Sequence, residues 1–342
     1  MSLSFIMSKT KKKPTIYNVA ELSGVSISTI SRVLNAPDKV NPETRIRVME
    51  AIDRLGFVPK AEARARALKN SNRVGVITPF FTAPSFVQRL RGVATTLSRA
   101  NYELVIYPVD SVEHLEGYIS SIPIMGNLDG LIIMSLAIQD KDVRRLIENE
   151  MQTVLIEFSH ERLNSIVIND EQGGRMVAEY LIKKGHKSFG FLGDIEPPER
   201  YAIHPVKSRL SGFKKVLGEA GISLPQKSIK QALYSQENSQ QAAYELLNAS
   251  DRPTALFAAS DIQALSVMKV ARQLNLRIPD DLAIVGFDDI DMADYVDLTT
   301  VRQHLDESGR LSAEMALARI GDRNRALQHI NLPLVLIERA TA

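Results

Sequence analysis

The sequence predicts a small all-α head followed by an α/β core of two doubly wound lobes. Two patterns lead to this fold class. Residues 15–58 have apolar positions at helical spacing, whereas from Arg73 onward continuous Val/Ile/Leu runs alternate with amphipathic helices. Such runs are typical of strands buried on both faces of a parallel sheet. The alternation continues almost to the C-terminus, which is too much sheet for one compact unit, so we expect two lobes.

Charge is distributed unevenly along the chain. The 342 residues carry a formal net charge of +2. Residues 1–70 hold 13 basic and 6 acidic side chains, a net charge of +7, which leaves −5 for the remainder. A basic head on an acidic body predicts that the head binds a polyanion. The segment "KTKKK" alone could be a solvated tail, but the basic character continues through the patterned helices.

Composition and motifs limit the class of protein. The chain has no cysteine, which excludes disulfides and thiol chemistry. No apolar run reaches the roughly 18 residues of a membrane helix, and the first residues do not follow a signal-peptide pattern. We therefore expect a cytoplasmic protein with no membrane partner. HExxH, GxSxG, Walker and GxGxxG patterns are absent at strand–helix junctions, so we expect no enzyme activity, metal ligand or cofactor.

The segment "TIYNVAELSGVSISTISRVLN", residues 15–35, predicts two short helices joined by a tight turn. Thr15 can cap the first helix and Ser26 the second. Gly24 tolerates the left-handed backbone of a helix end. This spacing indicates a helix-turn-helix. The segment "NPET", Asn41–Thr44, begins a third helix that closes a three-helix core.

The second helix of this pair has an outer face with little charge. At about 100° per residue, Ile30, Val33 and Leu34 fall in one sector and face the core. The opposite face carries Ser28, Ser31, Arg32 and Asn35. A merely solvated helix would more often carry Glu and Lys. Short polar side chains let a helix lie deep in the major groove of DNA, where an Arg can bind guanine through two hydrogen bonds.

Polar and aromatic side chains follow several predicted strands of the core. Ligands bind open α/β sheets at the carboxyl ends of the strands, so we expect a cleft for a polar small molecule there. The candidates are Phe80, Phe81, Asn169, Asp170, Ser260, Asp261, Asp288 and Asp289, with Arg209 at the start of a nearby helix. The alternative for each Asn, Asp or Ser is a cap for the helix that follows.

The head resembles the DNA-binding domain of the lac-repressor-type (LacI/GalR) family of bacterial transcription regulators, through "TIYNVAELSGVSISTISRVLN" and "TRIRVMEAIDRLGFVP". The resemblance extends over residues 14–342, through "GHKSFGFLG", "LFAASDIQAL" and "LRIPDDLAIVGFDD". It implies a helix-turn-helix domain at 14–58, a hinge at 59–72 and an effector-binding and dimerisation domain at 73–342. That last domain is similar to periplasmic binding proteins, with lobe one at about 73–168 and 304–328 and lobe two at about 169–303 and 329–342.

The resemblance also implies which residues contact DNA. In the head these are Thr15, Tyr17, Ser26, Ile27, Ser28, Thr29, Ser31, Arg32 and Asn35. In the family a hinge helix forms on operator DNA and a leucine opens the minor groove. Arg64 matches that pattern, but the wedge position holds Arg66, and Leu68 lies two residues later. Either Leu68 is the wedge or Arg66 enters the groove; the alternative for the whole segment is a plain basic linker.

The effector contacts implied by the resemblance are Phe80, Phe81, Asn169, Arg209, Ser260, Asp288 and Gln303, to which the strand-end position adds Asp261. Phe80 stands where many members of the family have Asp, which puts the usual sugar specificity in doubt. The sequence therefore predicts a homodimeric transcriptional regulator, acting as a repressor on palindromic operator DNA and controlled by a small polar effector such as a sugar. A transport-type sugar-binding protein is the alternative, which the basic head disfavours.

Overall fold

The computed structural model of the chain describes residues 14–35, 37–57, 71–195, 201–233 and 235–342. Within these ranges it contains a three-helix head and two six-stranded sheets. Each sheet has a hydrophobic core on both of its faces, as expected for doubly wound lobes. The predicted fold class, an all-α head and a core of two α/β lobes, is confirmed.

The head consists of α1 (Ile16–Ser23), α2 (Ile27–Asn35) and α3 (Pro42–Leu55). Ser26 caps α2 as predicted, because its hydroxyl accepts a hydrogen bond from the N–H of Thr29 at 3.1 Å. Gly24 has a φ of 68°, in the left-handed region that favours glycine. The helix-turn-helix geometry therefore follows from the residues that the sequence marked.

The first lobe is built on a sheet in which all neighbouring strands are parallel. Its strands are β1 (Arg73–Thr78), β2 (Glu103–Pro108), β3 (Gly130–Met134), β4 (Gln152–Ile156), β5 (Asn164–Val167) and β11 (His329–Asn331). Its helices are α4 (Pro84–Arg99), α5 (Val112–Met125), α6 (Asp140–Glu148) and α12 (Leu305–Gly321). The strand order is β11-β5-β4-β3-β1-β2.

The second lobe has the same plan with one antiparallel edge. Its strands are β6 (Phe189–Asp194), β7 (Ile229–Ala232), β8 (Ala255–Ala258), β9 (Ala283–Asp288), β10 (Thr299–Arg302) and β12 (Val335–Ile337). Its helices are α7 (Asp170–Lys183), α8 (Val206–Glu219), α9 (Gln236–Leu247), α10 (Asp261–Gln273) and α11 (Asp291–Tyr295). The order is β12-β10-β9-β8-β6-β7, and β12 runs antiparallel to β10.

The chain crosses between the lobes three times: after β5, after β10, and between β11 and β12. The last crossing lies later than the sequence analysis placed it. Residues 329–331 pair with β5 and complete the first sheet, although we expected lobe two to resume at residue 329. The strands β7, β10 and β11 show no apolar run, because their three or four residues are mostly polar. Within the described ranges, no helix is long and apolar enough to cross a membrane.

Glycines allow two pairs of helices to cross with their backbones in contact. A Cβ on Gly174 of α7 would overlap the carbonyl oxygen of Arg209 on α8, and a Cβ on Gly212 would overlap that of Glu171. Gly92 and Gly309 have the same relationship between α4 and α12. Only glycine permits such an approach. The close contact between α7 and α8 brings Arg209 against the start of α7.

The head core also involves the first lobe. Val19 of α1 and Ile30 of α2 are fully buried, and Ile124 at the end of α5 packs into the same cluster. Asp53 of α3 forms an ion pair with Arg145 of α6. The head therefore contacts lobe one through both an apolar side chain and a charge pair.

Candidate functional site

The outer face of α2 is exposed to solvent. Its exposed residues include Ser28, Ser31 and Arg32. Ile30 and Val33, on the opposite side, are at most 1% exposed. The side chain of Asn35 lies outside the described part of the structure. The exposed face combines small polar groups with one guanidinium, which is the chemistry that contacts base edges in a major groove.

The other predicted DNA contacts lie at the beginnings of the two helices: Thr15 and Tyr17 at α1, and Ser26, Ile27 and Thr29 at α2. Tyr17 is 70% exposed and Ile27 is 38% exposed, so both present an aromatic or apolar surface to solvent. The hinge residues Arg64, Arg66 and Leu68 lie outside the described residues, so the choice between Arg66 and Leu68 stays open.

A cleft between the two lobes contains a cavity of about 370 Å³. Five of the predicted effector residues line it: Phe80, Arg209, Ser260, Asp288 and Gln303. They come from the ends of β1, β8 and β9, from α8 and from the second crossing, so the strand-end rule brought together residues that are distant in sequence. The volume falls within the range of small-molecule sites.

A larger and more open space of about 600 Å³ lies between the head and lobe one. Its walls are mostly charged side chains, among them Arg45, Glu116, Lys141 and Arg144. Most binding sites for small molecules are concave and largely apolar, with a few polar groups. The interlobe cleft has that character and also lies at the strand ends, so we take the cleft as the candidate ligand site.

Several residues in and beside the cleft have a strained backbone. Residues without glycine's freedom adopt positive φ angles at Phe80 (47°), Ser135 (56°), Glu157 (65°), Asp288 (125°) and His304 (54°). Such conformations cost of the order of 1–3 kcal/mol each and cluster at functional sites. At Phe80, Glu157 and Asp288 the strained residue itself lines the cavity.

Arg209 is buried, and protein groups bind its Nε and Nη1. Its Nε donates to Asp170 at 2.8 Å and its Nη1 to the carbonyl oxygen of Ala259 at 2.6 Å. Asp288 lies 3.8 Å from Nη1, and the guanidinium stacks 3.6 Å from the centre of the Phe287 ring. The guanidinium is therefore held in one orientation and its charge is balanced by carboxylates of the same lobe.

A second chain of buried polar groups links the lobes. Arg89 on α4 forms an ion pair with Glu157 and donates a hydrogen bond to Gln303 Oε1 at 2.9 Å. Gln303 Nε2 in turn donates to Asp288 at 2.5 Å. Glu157 also accepts a hydrogen bond from the hydroxyl of Ser135. Because Arg89 belongs to lobe one and Asp288 to lobe two, a change in the interlobe angle would change these contacts.

A segment of lobe two reaches across one side of the cleft. The N–H of Ala137 donates to the carbonyl of Tyr201 at 3.1 Å, and the N–H of Ile203 donates to the carbonyl of Ser135 at 2.9 Å. These hydrogen bonds pair the end of β3 with residues 201–203 in an antiparallel bridge. Tyr201 and Ile203 line the cavity, so this bridge closes the cavity on that side.

Three predicted effector residues do not line the cavity: Phe81, Asn169 and Asp261. Asn169 caps α7 by accepting a hydrogen bond from the N–H of Gln172 at 2.9 Å. Asp261 is fully buried within lobe two, where it accepts hydrogen bonds from Thr300 and from the N–H of Ile290. The alternative interpretation, a helix cap, therefore holds for Asn169. Asp261 instead bonds groups within the core of lobe two, which neither interpretation expected.

The strand-end rule, applied to every strand, would have found further residues. Glu157 directly follows β4, and Asp194 ends β6; both line the cavity. Arg89 is buried on the same face of α4 as Val93 and Leu97, four and eight residues later. A charged residue at a core position of an amphipathic helix is the signal that identifies it.

Burial also changes the acidity of the cleft carboxylates. It raises the pKa of Asp288 to about 7 and that of Asp194 to about 6, while the positive charge of Arg209 opposes both shifts. Burial raises the pKa of Asp170 as well. The cleft is thus a poorly solvated site, in which hydrogen-bond donors are needed to stabilise the charged form of each carboxylate.

The helix-turn-helix head and the cleft between two doubly wound lobes together define a ligand-responsive DNA-binding protein. Residues 15–60 match the bacterial regulatory proteins of the lacI family, and residues 178–342 match the periplasmic binding protein-like domain. Catabolite control protein A of Priestia megaterium is 32% identical over 306 residues, which cover 88% of this chain and 91% of that protein. The transcriptional repressor PurR of Photobacterium profundum is 30% identical, over 94% and 97% of the two chains. The chain belongs to the lacI family of bacterial regulatory proteins.

Solved structures of similar fold include two from complexes. The cellobiose complex of the transcriptional regulator CelR has a TM-score of 0.69 and 27% identity, covering 96% of this chain and all of that one. The lac repressor dimer bound to operator and the anti-inducer ONPF has a TM-score of 0.68 and 27% identity, over 96% and 99% of the two chains. The similarity to each therefore includes the head as well as the core.

Proposed function

We propose that this protein is a repressor that binds a palindromic operator as a homodimer, and that a small polar effector such as a sugar, bound in the interlobe cleft, sets its operator affinity. The observation that carries the proposal is the pairing, in one chain, of an exposed polar helix face on the head with a cavity at the strand ends of two lobes. Neither element alone distinguishes a regulator from a stand-alone binding protein.

The recognition surface is the exposed face of α2. Arg32 contacts guanine in this proposal, while Ser28 and Ile27 contact neighbouring bases. Tyr17, Ser26, Thr29, Ser31, Thr15 and Asn35 contact phosphates and set the position of the helix in the groove. The hinge adds a minor-groove contact through either Arg66 or Leu68, next to Arg64.

The effector occupies the cavity lined by Phe80, Ser260 and Asp288, with Arg209 and Gln303 behind them. Solved relatives support a sugar-like ligand. The solved structure of CelR is a complex with cellobiose. The solved structure of a lacI-family regulator of Enterococcus faecium has bound ribose. That regulator is 26% identical, with a TM-score of 0.68 over 79% of this chain and 98% of that one. Aromatic faces and hydrogen-bonding groups together suit a polyhydroxylated molecule.

Coupling between the two sites follows from the interlobe contacts. A ligand that contacts both lobes favours one interlobe angle over another by its difference in affinity for the two states. The polar chain from Arg89 through Gln303 to Asp288 crosses the same interface. Lobe one contacts the head, so its displacement changes the spacing of the two heads of a dimer. A coupling free energy of about 1–3 kcal/mol is typical of such systems.

The test combines operator selection with a cleft variant. Sequences that bind the full chain are selected from random DNA, and we expect a palindrome with two half-sites. Binding to that site is then measured with and without candidate sugars for the natural chain and for Asp288→Ala. We expect Asp288→Ala to abolish the effector response and to preserve operator binding. Ligand binding without any selected DNA sequence would instead indicate a stand-alone binding protein.

A further inference from the structure

The two arginines of the cleft are already neutralised by the protein. Arg209 is bonded to Asp170 and to a carbonyl oxygen, with Asp288 close by. Arg89 is paired with Glu157 and bonded to Gln303. A ligand anion could reach Arg209 Nε or Arg89 Nη2 only by displacing the carboxylate that is already bound there. The charge of each arginine is therefore compensated by a carboxylate of the protein.

Among the described residues, Asp194 is a cleft carboxylate without a direct ion pair, although the positive charge of Arg209 acts on it from a longer distance. Its Oδ1 accepts a hydrogen bond from the neutral amide of Gln263 at 2.8 Å. Its Oδ2 accepts none, and no Lys or Arg of the described ranges forms an ion pair with it. The side chain ends β6 at the wall of the cavity. Burial raises its pKa to about 6, so it is charged at neutral pH but poorly solvated.

These charges make the described part of the cavity wall slightly negative. Its charged Arg and carboxylate side chains are Arg89 and Arg209 against Glu157, Asp194 and Asp288. Asp288, with a pKa of about 7, is only partly ionised at neutral pH. A poorly solvated carboxylate without a partner is unfavourable unless a donor reaches it. An anion placed in the same cavity would be repelled, and the repulsion is stronger than in bulk water because the cleft is partly dry.

The rest of the wall is apolar. It includes Phe80, Phe86, Ile195, Ile203, Leu233 and Ile262. The rings of Phe80 and Phe86 meet edge to face, with centroids 6.1 Å apart. The cavity thus offers an apolar surface for the carbon face of a ligand and an acceptor, Asp194, for a donor group.

We propose that Asp194 determines the effector class: the effector carries a hydrogen-bond donor, an ammonium or a hydroxyl, that binds this carboxylate, and the cleft excludes phosphorylated and carboxylated compounds. This inference rests on the proposed function, because it concerns the ligand of the same cleft. In this proposal Asp194, which has no hydrogen bond to Arg209 or Asp288, discriminates between effectors of different charge. An ammonium would form a charge-assisted hydrogen bond, and a hydroxyl a weaker one.

The experiment measures the melting temperature of the full chain with sets of compounds that differ only in charge. One set is glucose, glucosamine and glucose 6-phosphate, a second is the corresponding galactose series, and cellobiose and gluconate complete the panel. Compounds that raise the melting temperature are then titrated to obtain Kd. We expect stabilisation by neutral or amine-bearing members, and at least about tenfold weaker binding of the phosphate or carboxylate that corresponds to each.

The variant Asp194→Asn removes the charge and keeps the size of the side chain. We expect it to weaken an amine-bearing ligand by about tenfold or more, a neutral ligand by less, and to reduce the discrimination against phosphates. Glu237→Gln, which removes the same charge from an exposed position on α9, is the control and should change none of these values. The size of the Asp194→Asn effect distinguishes an ammonium from a hydroxyl donor.

Two results would overturn the inference while leaving the proposed function intact. One is a sugar phosphate or aldonate that binds as tightly as its neutral parent and weakens operator binding. The other is an unchanged Kd for every ligand in Asp194→Asn. If no compound of any charge raises the melting temperature or alters operator binding, the sugar-effector function itself fails and the inference fails with it.

Discussion

Gly174 of α7 lies so close to Arg209 of α8 that a Cβ on the glycine would overlap the carbonyl oxygen of the arginine. This contact holds Arg209 at the distance from which its Nε reaches Asp170 at the start of α7. Because Gly174 has no side chain, α7 and α8 pack closely enough for the guanidinium of Arg209 to reach Asp170, one turn from Gly174. The packing of these two helices therefore determines the geometry of the site.

Gly174→Ala should therefore affect both stability and ligand binding. Separating the two helices to admit a methyl group costs about 1–3 kcal/mol and moves Arg209 away from Asp170. Urea unfolding and effector titration of the full chain would measure the two effects. Gly218→Ala is the matched control, because nothing lies within 4 Å of a Cβ at that position of α8. We expect the control to be neutral or slightly stabilising; an equal loss in both variants would contradict the argument.

Asp261 is expected to stabilise lobe two without contacting the effector. Asp261→Ala leaves the hydroxyl of Thr300 and the N–H of Ile290 without their acceptor, and each buried unpaired group costs about 1–3 kcal/mol. The free energy of unfolding should fall by about 2–4 kcal/mol. At a temperature where the variant is folded, its Kd for any cleft ligand should equal that of the natural chain. A loss of ligand binding without a loss of stability would instead indicate that Asp261 contacts the effector.

The comparison of Asp261 with Asp288 shows which features of the site could be predicted from the sequence and which could not. Both follow apolar strands, and both satisfy the strand-end rule, yet one is in the core and the other lines the cavity. The difference depends on partners 29 and 39 residues away from Asp261, whose positions follow from the order of the strands in the sheet. Local features such as the Ser26 cap and the Gly24 turn depend only on near neighbours, and these were predicted correctly.

Arg89 illustrates the same limit from the other direction. A charged side chain on the buried face of a helix needs a partner, but the partner of Arg89, Glu157, lies 68 residues later, directly after β4. The sequence alone shows that Arg89 is an unusual charged residue at a core position, but it does not show which residue neutralises its charge. The strand-end rule would have placed Glu157 at the same edge of the sheet, and the two observations together would have predicted the pair.

The pH dependence of stability should carry the signature of Asp194. Its pKa in the folded protein is about 6, raised by burial from an ordinary value of 3.8. Between these values the folded state holds a proton that the unfolded state has released, so stability falls as pH rises from about 4 to about 6. Asp194→Asn removes this loss. The variant should melt at a higher temperature than the natural chain at pH 7.5, and the difference should shrink towards pH 4. A constant difference across this range would show that the carboxylate is not desolvated.

Arg91 connects the lobes at the rim of the cleft. It extends from α4 of lobe one to Asp291 of lobe two at 2.6 Å and to Asp306 at 2.7 Å. The guanidinium is half exposed, so the pair contributes less than about 1 kcal/mol and is screened by salt. Arg91→Met should weaken effector binding a few-fold at low salt and less at high salt, if the effector favours the interlobe angle seen in this structure, because that arrangement loses a contact between the lobes. Arg310→Met, whose ion pairs stay within α12, is the control; an equal effect in both would remove the interlobe role.

Arg32 should decide one base position of the operator. It is exposed on the polar face of α2, between side chains that are too short to keep the helix out of the groove. Arg32→Ala is expected to cost about 1–3 kcal/mol at a guanine of each half-site and to relax the preference for that base. Operators carrying each base at each position, titrated at a fixed salt concentration, would show the loss at one position. Arg54→Ala removes the same charge from the exposed surface of α3 and should weaken all DNA sequences equally or not at all. If Arg32→Ala instead weakens binding to all DNA sequences equally, the arginine contacts the phosphate backbone, and the bases are selected by Ile27 and Ser28 alone.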